Sequence, residues 1–168
     1  PSVVKVGETI NITVKSNVDN VTVWINGVKQ TVVDGNISYT VTSAGIKTIY
    51  AEVTGNATVR GANRTVVFEA VKNNATLIIG QIDVVKVGDD VTIIIYNITD
   101  GELTIKLNGK AISNGIVFVP PTGGNYTITV ESLETAMYYA GFNTTTFKVD
   151  KFNSFVNPGV PIPANIVE

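Results

Sequence analysis

Val3-Val4-Lys5-Val6-Gly7-Glu8 returns later in the chain as Val84-Val85-Lys86-Val87-Gly88-Asp89, and much of the sequence after each copy repeats as well. A period of roughly 80 residues is too long for a solenoid unit and fits a small β-sandwich. The two copies predict two related domains in tandem, each opening a sheet at this phrase.

Outward from the phrase, alternation of period two dominates, and no stretch keeps a helical period over three turns. Ile10, Ile12 and Val14 point one way while Asn11, Thr13 and Lys15 point the other. Val21, Val23 and Ile25 repeat the pattern and end at Asn26-Gly27, a two-residue hairpin signal because both turn positions need positive φ. The return strand is expected through Val32-Val33 to a second such signal, Asp34-Gly35. Ile37-Tyr39-Val41, Ile46 to Val53 and Thr65 to Val71 complete the set. The second copy reuses this punctuation. Leu103-Ile105-Leu107 leads to Asn108-Gly109, Asn114-Gly115 stands in the place of Asp34-Gly35, and Gly124 to Ile128 matches Gly45 to Ile49.

Seven or so short strands with a turn every 8–12 residues, rich in β-branched side chains, predict an all-β chain of two tandem immunoglobulin-like β-sandwich domains. The absence of a Cys pair excludes the antibody type. The expected division is 1–71 for repeat one, lacking its first strand, and 72–150 for repeat two, with Ala75 to Ile79 as the strand that repeat one lacks. Residues 151–168 are read as the opening strand or linker of a third repeat. There Pro158, Pro161 and Pro163 restrict pairing to an edge. The chain begins at Pro1 without a signal peptide, which predicts a segment of a longer protein whose targeting signals lie elsewhere.

Composition narrows the function classes. Of 168 residues, 44% are apolar and 15% charged, at a net charge of −2, so no basic surface is present to neutralise nucleic-acid phosphates. No cysteine and no histidine occur. Disulfides, thiolate metal sites, His-based triads and most zinc chemistry are thereby removed. No glycine-rich phosphate loop and no Gly-x-Ser-x-Gly elbow is present. No catalytic residue, cofactor site or metal site is assigned, and membrane insertion of this segment is not expected.

The Val-x-Val-Gly-[Asp/Glu] phrase, the Asn-Gly hairpins, Gly123-Gly124-Asn125-Tyr126-Thr127-Ile128-Thr129-Val130 and the closing Tyr138-Tyr139 with Asn143-Thr144-Thr145-Thr146-Phe147-Lys148-Val149 together resemble bacterial-type immunoglobulin-like repeats. They are similar in particular to those strung along adhesin-like surface proteins of methanogenic archaea. The resemblance covers most of repeat two and, less closely, residues 3–71, where Lys47 stands in the place of Tyr126. It implies a large extracellular cell-surface protein with a stalk-like or adhesive role, and no shared catalytic residue.

Four candidate chemistries arise from the residues. Asn-x-Ser/Thr sequons fall at Asn11, Asn20, Asn36, Asn56, Asn63, Asn74, Asn97, Asn125 and Asn143, more than the composition alone would give. They read either as glycosylation acceptors of a secreted surface protein or as a by-product of Asn and Thr in strands and turns. Trp24, the sole tryptophan, should point outward where repeat two carries Lys106. It is either a binding anchor or a residue packing beside a neighbouring strand or linker. Asp83, Asp89, Asp90, Asp100 and Glu102 offer oxygens for calcium, or are solvated loop charge. A Lys–Asn isopeptide bond would draw on Lys5 or Lys86, Glu52 or Glu131, and Asn63 or Asn143, although Glu52 should be exposed.

The expected function is a non-catalytic stalk or adhesion module of an extracellular cell-surface protein. The expected partners are a protein or glycan of another cell, or a neighbouring repeat paired through an edge strand. The alternative is a carbohydrate-binding or accessory module of a secreted enzyme, which would call for an exposed platform of several aromatics; Trp24 and the Tyr138-Tyr139 pair are the only hints of one, and nothing in the sequence brings them together.

Overall fold

The computed structural model describes residues 3–159. It is all β, two immunoglobulin-like sandwiches in tandem. Repeat one contributes β1 (Val3–Lys5), β2 (Thr9–Thr13), β3 (Val21–Ile25), β4 (Val28–Gln30), β5 (Asn36–Thr40), β6 (Gly45–Val53) and β7 (Ala62–Val71). Repeat two contributes β8 (Thr76–Ile79), β9 (Val85–Lys86), β10 (Val91–Ile93), β11 (Ile95–Ile98), β12 (Leu103–Leu107), β13 (Lys110–Ile112), β14 (Ile116–Phe118), β15 (Gly124–Ser132) and β16 (Gly141–Asp150).

Each repeat has a five-stranded sheet of one order, β1-β7-β6-β3-β4 in the first and β9-β16-β15-β12-β13 in the second. The facing layer is β2-β5 in repeat one. In repeat two it is β10-β14 continued by β11-β8. The inner faces of both layers carry the alternating apolar residues, as a sandwich requires.

The duplicated phrase is the place where the chain changes sheets. β1 pairs in parallel with β7, and β9 in parallel with β16. The chain then turns, with the Glu8 amide donating to Lys5 O at 3.2 Å and the Asp89 amide to Lys86 O at 3.1 Å. Gly7 and Gly88 take φ of 92° and 88°, a region that only glycine enters freely. The acidic side chain closes the loop: the Lys5 amide donates to Glu8 Oε2 at 3.0 Å and the Lys86 amide to Asp89 Oδ2 at 2.8 Å. Val-x-Val-Gly-[Asp/Glu] is therefore one strand, a crossover turn and its cap.

The hairpin signals resolve into two kinds. Asn26-Gly27 (φ 47° and 78°) and Asn108-Gly109 (47° and 80°) have positive φ at both positions, as a type I′ turn demands. Their side-chain oxygens also accept from the Thr48 and Thr127 amides at 2.8 Å, which locks each hairpin to the next strand. Asp34-Gly35 has the same backbone signs, whereas at Asn114-Gly115 only the glycine is positive. Asn114 instead uses its side chain, accepting from the Ile95 amide at 2.7 Å and donating to the Ile95 carbonyl at 2.9 Å. It stands in for a missing strand partner. One strand is shorter than its sequence predicts: β4 ends at Gln30, Val32 packs on the core, and Val33 makes a single bridge to Asn36.

The two cores differ. Repeat two has one continuous cluster running from Leu77 through Ile93, Ile105 and Ile128 to Val149. Repeat one has two smaller clusters, one around Val4, Val41 and Phe68 and one around Val23, Ile25 and Ile37. Tyr126 explains much of this. Its ring lies 5.4 Å from Phe118 and 5.6 Å from Phe147, and its hydroxyl donates to Thr122 O at 2.9 Å. A tyrosine at the start of this strand bonding a few residues upstream is the tyrosine corner of immunoglobulin-like domains. Lys47 occupies that position in repeat one, opposite Phe68. It is only 4% exposed, and its ammonium donates to Ser43 Oγ at 2.7 Å and weakly to Ala44 O at 3.4 Å. Its alternation with Ile49 and Ala51 marks it as inward-facing.

The repeats are joined through Asn73. Its amide donates to Met137 O at 2.8 Å, and its carbonyl accepts from the Tyr139 amide at 2.9 Å. Its side chain donates to Val6 O at 3.0 Å, so one residue bonds both domains. Lys72 and Glu134 form an ion pair alongside. Beyond β16, Lys151–Gly159 forms no strand and is exposed throughout. This is the part read as the opening strand or linker of a third repeat; Pro161 and Pro163 lie outside the described residues.

Candidate binding surfaces

Trp24 sits on the outer face of the repeat-one sheet, half-buried rather than free. It lies between Lys29 on β4 and Tyr50 on β6, with the Trp24 and Tyr50 rings 5.5 Å apart and tilted. Tyr50 donates to Glu52 Oε2 at 3.2 Å. Partial burial of the phenol, and then the nearby Glu52 carboxylate, raise its pKa above the ordinary tyrosine value. Glu52, expected to be exposed, is half-buried because Tyr50 leans over it. Lys29, Trp24, Tyr50 and Glu52 thus make an amphipathic patch on the outer face of the sheet.

Tyr138 and Tyr139 are elsewhere. They lie in the segment between β15 and β16 that bonds Asn73, and neither ring pairs with Trp24. The aromatic residues that hint at a platform do not stack together.

Most of the sequon asparagines are exposed: Asn11, Asn20, Asn36, Asn56, Asn63, Asn74, Asn97 and Asn125. Asn143 is half-buried, and its amide nitrogen donates to Leu77 O at 2.7 Å. The Asn36 amide nitrogen donates to Asp34 O at 3.0 Å. Both nitrogens hold structural hydrogen bonds, which leaves a glycan on the same atom only the other N–H position to replace. Asn56 has its oxygen engaged instead, accepting from Thr58 and Val59 in a tight turn.

The acidic residues do not converge. Asp89 caps the crossover turn, Asp83 accepts from Gln81, and Asp100 accepts from Thr135 Oγ1 at 2.6 Å. No group of three potential metal ligands occurs among the described residues. Lys5 and Lys86 are exposed, Glu52 faces Asn63 across the β6–β7 ladder, and Asn143 is held by Leu77. The buried lysine is Lys47, which has no ion-pair partner among the described residues.

Two further residues carry structural roles that spacing did not reveal, Asn73 and Asn114. Asn73 sits in the expected linker, and nothing in its neighbourhood in sequence points to Val6 or Met137.

No family model matches the chain, and no curated protein matches it. Among solved structures, it is similar to the fibronectin(III)-like modules of Clostridium thermocellum CbhA at 15% identity, covering 94% of each chain with a TM-score of 0.39. It is also similar to immunoglobulin domains 1–5 of Sidekick-1, at 13% identity, 89% of this chain and 39% of that one, TM-score 0.33. The titin I-band fragment I67–I69 is a third, at 14% identity, 89% and 62% coverage, TM-score 0.33. At these scores the likenesses carry no argument about ligands, and the fold assignment rests on the strand order of the two five-stranded sheets.

Proposed function

We propose that the chain is a non-catalytic stalk or adhesion segment of a large extracellular cell-surface protein, of the adhesin-like kind that its repeats resemble. One observation carries the reading. The phrase strand of each five-stranded sheet runs parallel to the last strand, so the chain arrives at one end of the repeat and leaves at the other. Such modules string in series, and traction on their ends shears parallel ladders instead of unzipping them. The bonded joint at Asn73 fits the same use, because it couples neighbours without a long linker. Exposed sequons such as Asn11, Asn97 and Asn125 are the proposed glycosylation acceptors, on a face open to the outside of the cell.

The second reading, a carbohydrate-binding accessory module, is favoured only by the Trp24–Tyr50 patch. Binding of the chain to a glycan array and to whole cells, beside Trp24→Ala, separates the two. Saturable binding that is lost in the variant places a binding surface at the patch. Absence of binding by folded protein leaves this segment as a spacer. Specific binding that Trp24→Ala leaves unchanged puts the adhesive surface elsewhere on the segment.

A further inference from the structure

We propose that the outer face of β10 and β11 in repeat two, flanked by β8 and β14, is a self-association surface, and that its occupant is the same face of a second copy of this chain. Leu77, Ile93 and Ile95 are buried in the core, so the residues that alternate with them point outward. Ile78 stands opposite Tyr96 in the ladder, with Ile94 and Ile98 on either side of Tyr96 along the strand. Val117 of β14 lies opposite Thr92 on the same face. A Cβ built on Gly80, which shares the side of Ile78, would stand 3.6 Å from Ile94 Cβ, so Ile94 belongs to that face too. Ile78, Tyr96, Ile98 and Val117 are each more than half exposed, and Ile94 is 39% exposed.

Repeat one shows that the fold does not call for such a face. Counting on from the duplicated phrase, Thr13, Lys15 and Asn17 stand where Ile94, Tyr96 and Ile98 stand. Ser38 takes the place of Val117, because Ile12 opposite Ile37 matches Ile93 opposite Ile116. All four are polar and exposed. Beside them Thr9 and Thr40 share a hydrogen bond at 2.8 Å, and Thr13 donates to Asn36 Oδ1 at 3.1 Å. One position in the sandwich is thus wet in repeat one and apolar in repeat two. Clustered apolar side chains on an outer face mark a contact surface.

The face fits its own copy. None of its outward positions from Thr92 to Ile98, nor Thr76, Ile78 or Val117, carries a charge, so a two-fold axis sets no like charges against each other across its centre. Asp90 and Asp100 stand just beyond the two ends, where an interface keeps its polar rim. A partner of different chemistry is selected through charged or hydrogen-bonding groups. Among the five side chains the Tyr96 hydroxyl is the sole such group.

The area is sufficient as well. The five side chains expose on the order of 500 Å², so two copies together hide about 1,000 Å², which is what a specific interface requires. Two such faces pack about 10 Å apart, as the layers of a sandwich do. Because one patch serves both copies, the contact is isologous and closes at a dimer. Asn97 lies opposite buried Leu77, on the other side of its strand, so a glycan at that sequon leaves the face free.

Sedimentation velocity of the whole 168-residue chain, produced without glycans, tests this. The expected result is a coefficient that rises with concentration and levels off at the dimer. Ile94→Thr combined with Tyr96→Lys and Ile98→Asn installs the residue types that repeat one carries on the matching strand. It should abolish the dimer and leave urea unfolding of the dilute chain unchanged. Tyr96→Ala alone should weaken the dimer about tenfold or more, since each substitution enters an isologous pair twice. A chain that stays monomeric to ~1 mM overturns the pairing and leaves the face to a different protein. Association that survives the triple variant, or that grows past the dimer, also overturns it. Trp24→Ala should leave the dimer intact, and a dimer lost there but kept in Tyr96→Ala would place the contact on repeat one instead. No readout involves a glycan or a cell, so failure here is distinct from failure of the adhesive reading.

Discussion

Repeats one and two share a strand order, a crossover turn and their type I′ hairpins, yet one core is continuous and the other is divided. Two differences account for this. Repeat two has β8 laid across its open side, and it has Tyr126 packed between a tilted Phe118 and a stacked Phe147. Repeat one has neither: no strand equivalent to β8 lies among its described residues, and Lys47 stands opposite Phe68 with its ammonium on Ser43. Turns and alternation are thus enough to set this topology. Closing the core takes one more strand and one aromatic side chain.

Equivalent core positions should give the largest contrast. Ile128 is wholly buried, and Ile128→Ala should cost ~2–5 kcal/mol in repeat two. Ile49→Ala, at the matching but half-buried position, should cost about 1–2 kcal/mol. Urea unfolding followed by circular dichroism measures both, and equal costs would mean that Ile49 is as well packed in solution as Ile128. Ile105, 6% exposed, belongs with Ile128, so Ile105→Ala should also cost ~2–5 kcal/mol. A cost below about 1 kcal/mol would mean that this strand face is misassigned.

The unfolding order follows from the same contrast. Trp24 is the sole tryptophan, so its fluorescence reports repeat one alone. Its urea midpoint should precede the main circular dichroism transition, and coincident transitions would show that the Asn73 joint makes the pair unfold as one.

Smaller effects are expected at the corner. Tyr126→Phe removes the hydrogen bond to Thr122 and should destabilise repeat two by ~0.5–1.5 kcal/mol. Lys47→Tyr, which restores the aromatic contact and can still reach Ser43, should stabilise repeat one by a similar amount, ~0.5–1.5 kcal/mol, read from the Trp24 midpoint. A fall instead would mean that the space around Lys47 has closed to the shape of its stem.

Much of the fold was legible in the sequence because its signals are local. A type I′ turn needs positive φ at two adjacent residues, and Asn26-Gly27 and Asn108-Gly109 supply it wherever the strands go. Period-two alternation likewise assigned Val23, Ile25, Ile105 and Leu107 to the interior. One shortfall has a tertiary cause: Val32-Val33 is β-branched like a strand but pairs only through the single Val33–Asn36 bridge. Trp24 faces outward and packs beside Tyr50 of the neighbouring strand, one of the two readings that its position allowed.

Residue type and near neighbours were enough to establish the duplication, the all-β class, the hairpin positions and the exclusion of thiol and imidazole chemistry. Tertiary structure alone decided that the opening phrase is a sheet crossover and that Asn73 bonds Val6 and Met137. It also decided that the Lys47 ammonium meets Ser43 Oγ and that the core of repeat one divides in two. Those depend on which distant backbone groups meet, and hydrogen bonding and burial are settled only when strands far apart in the chain are brought into register.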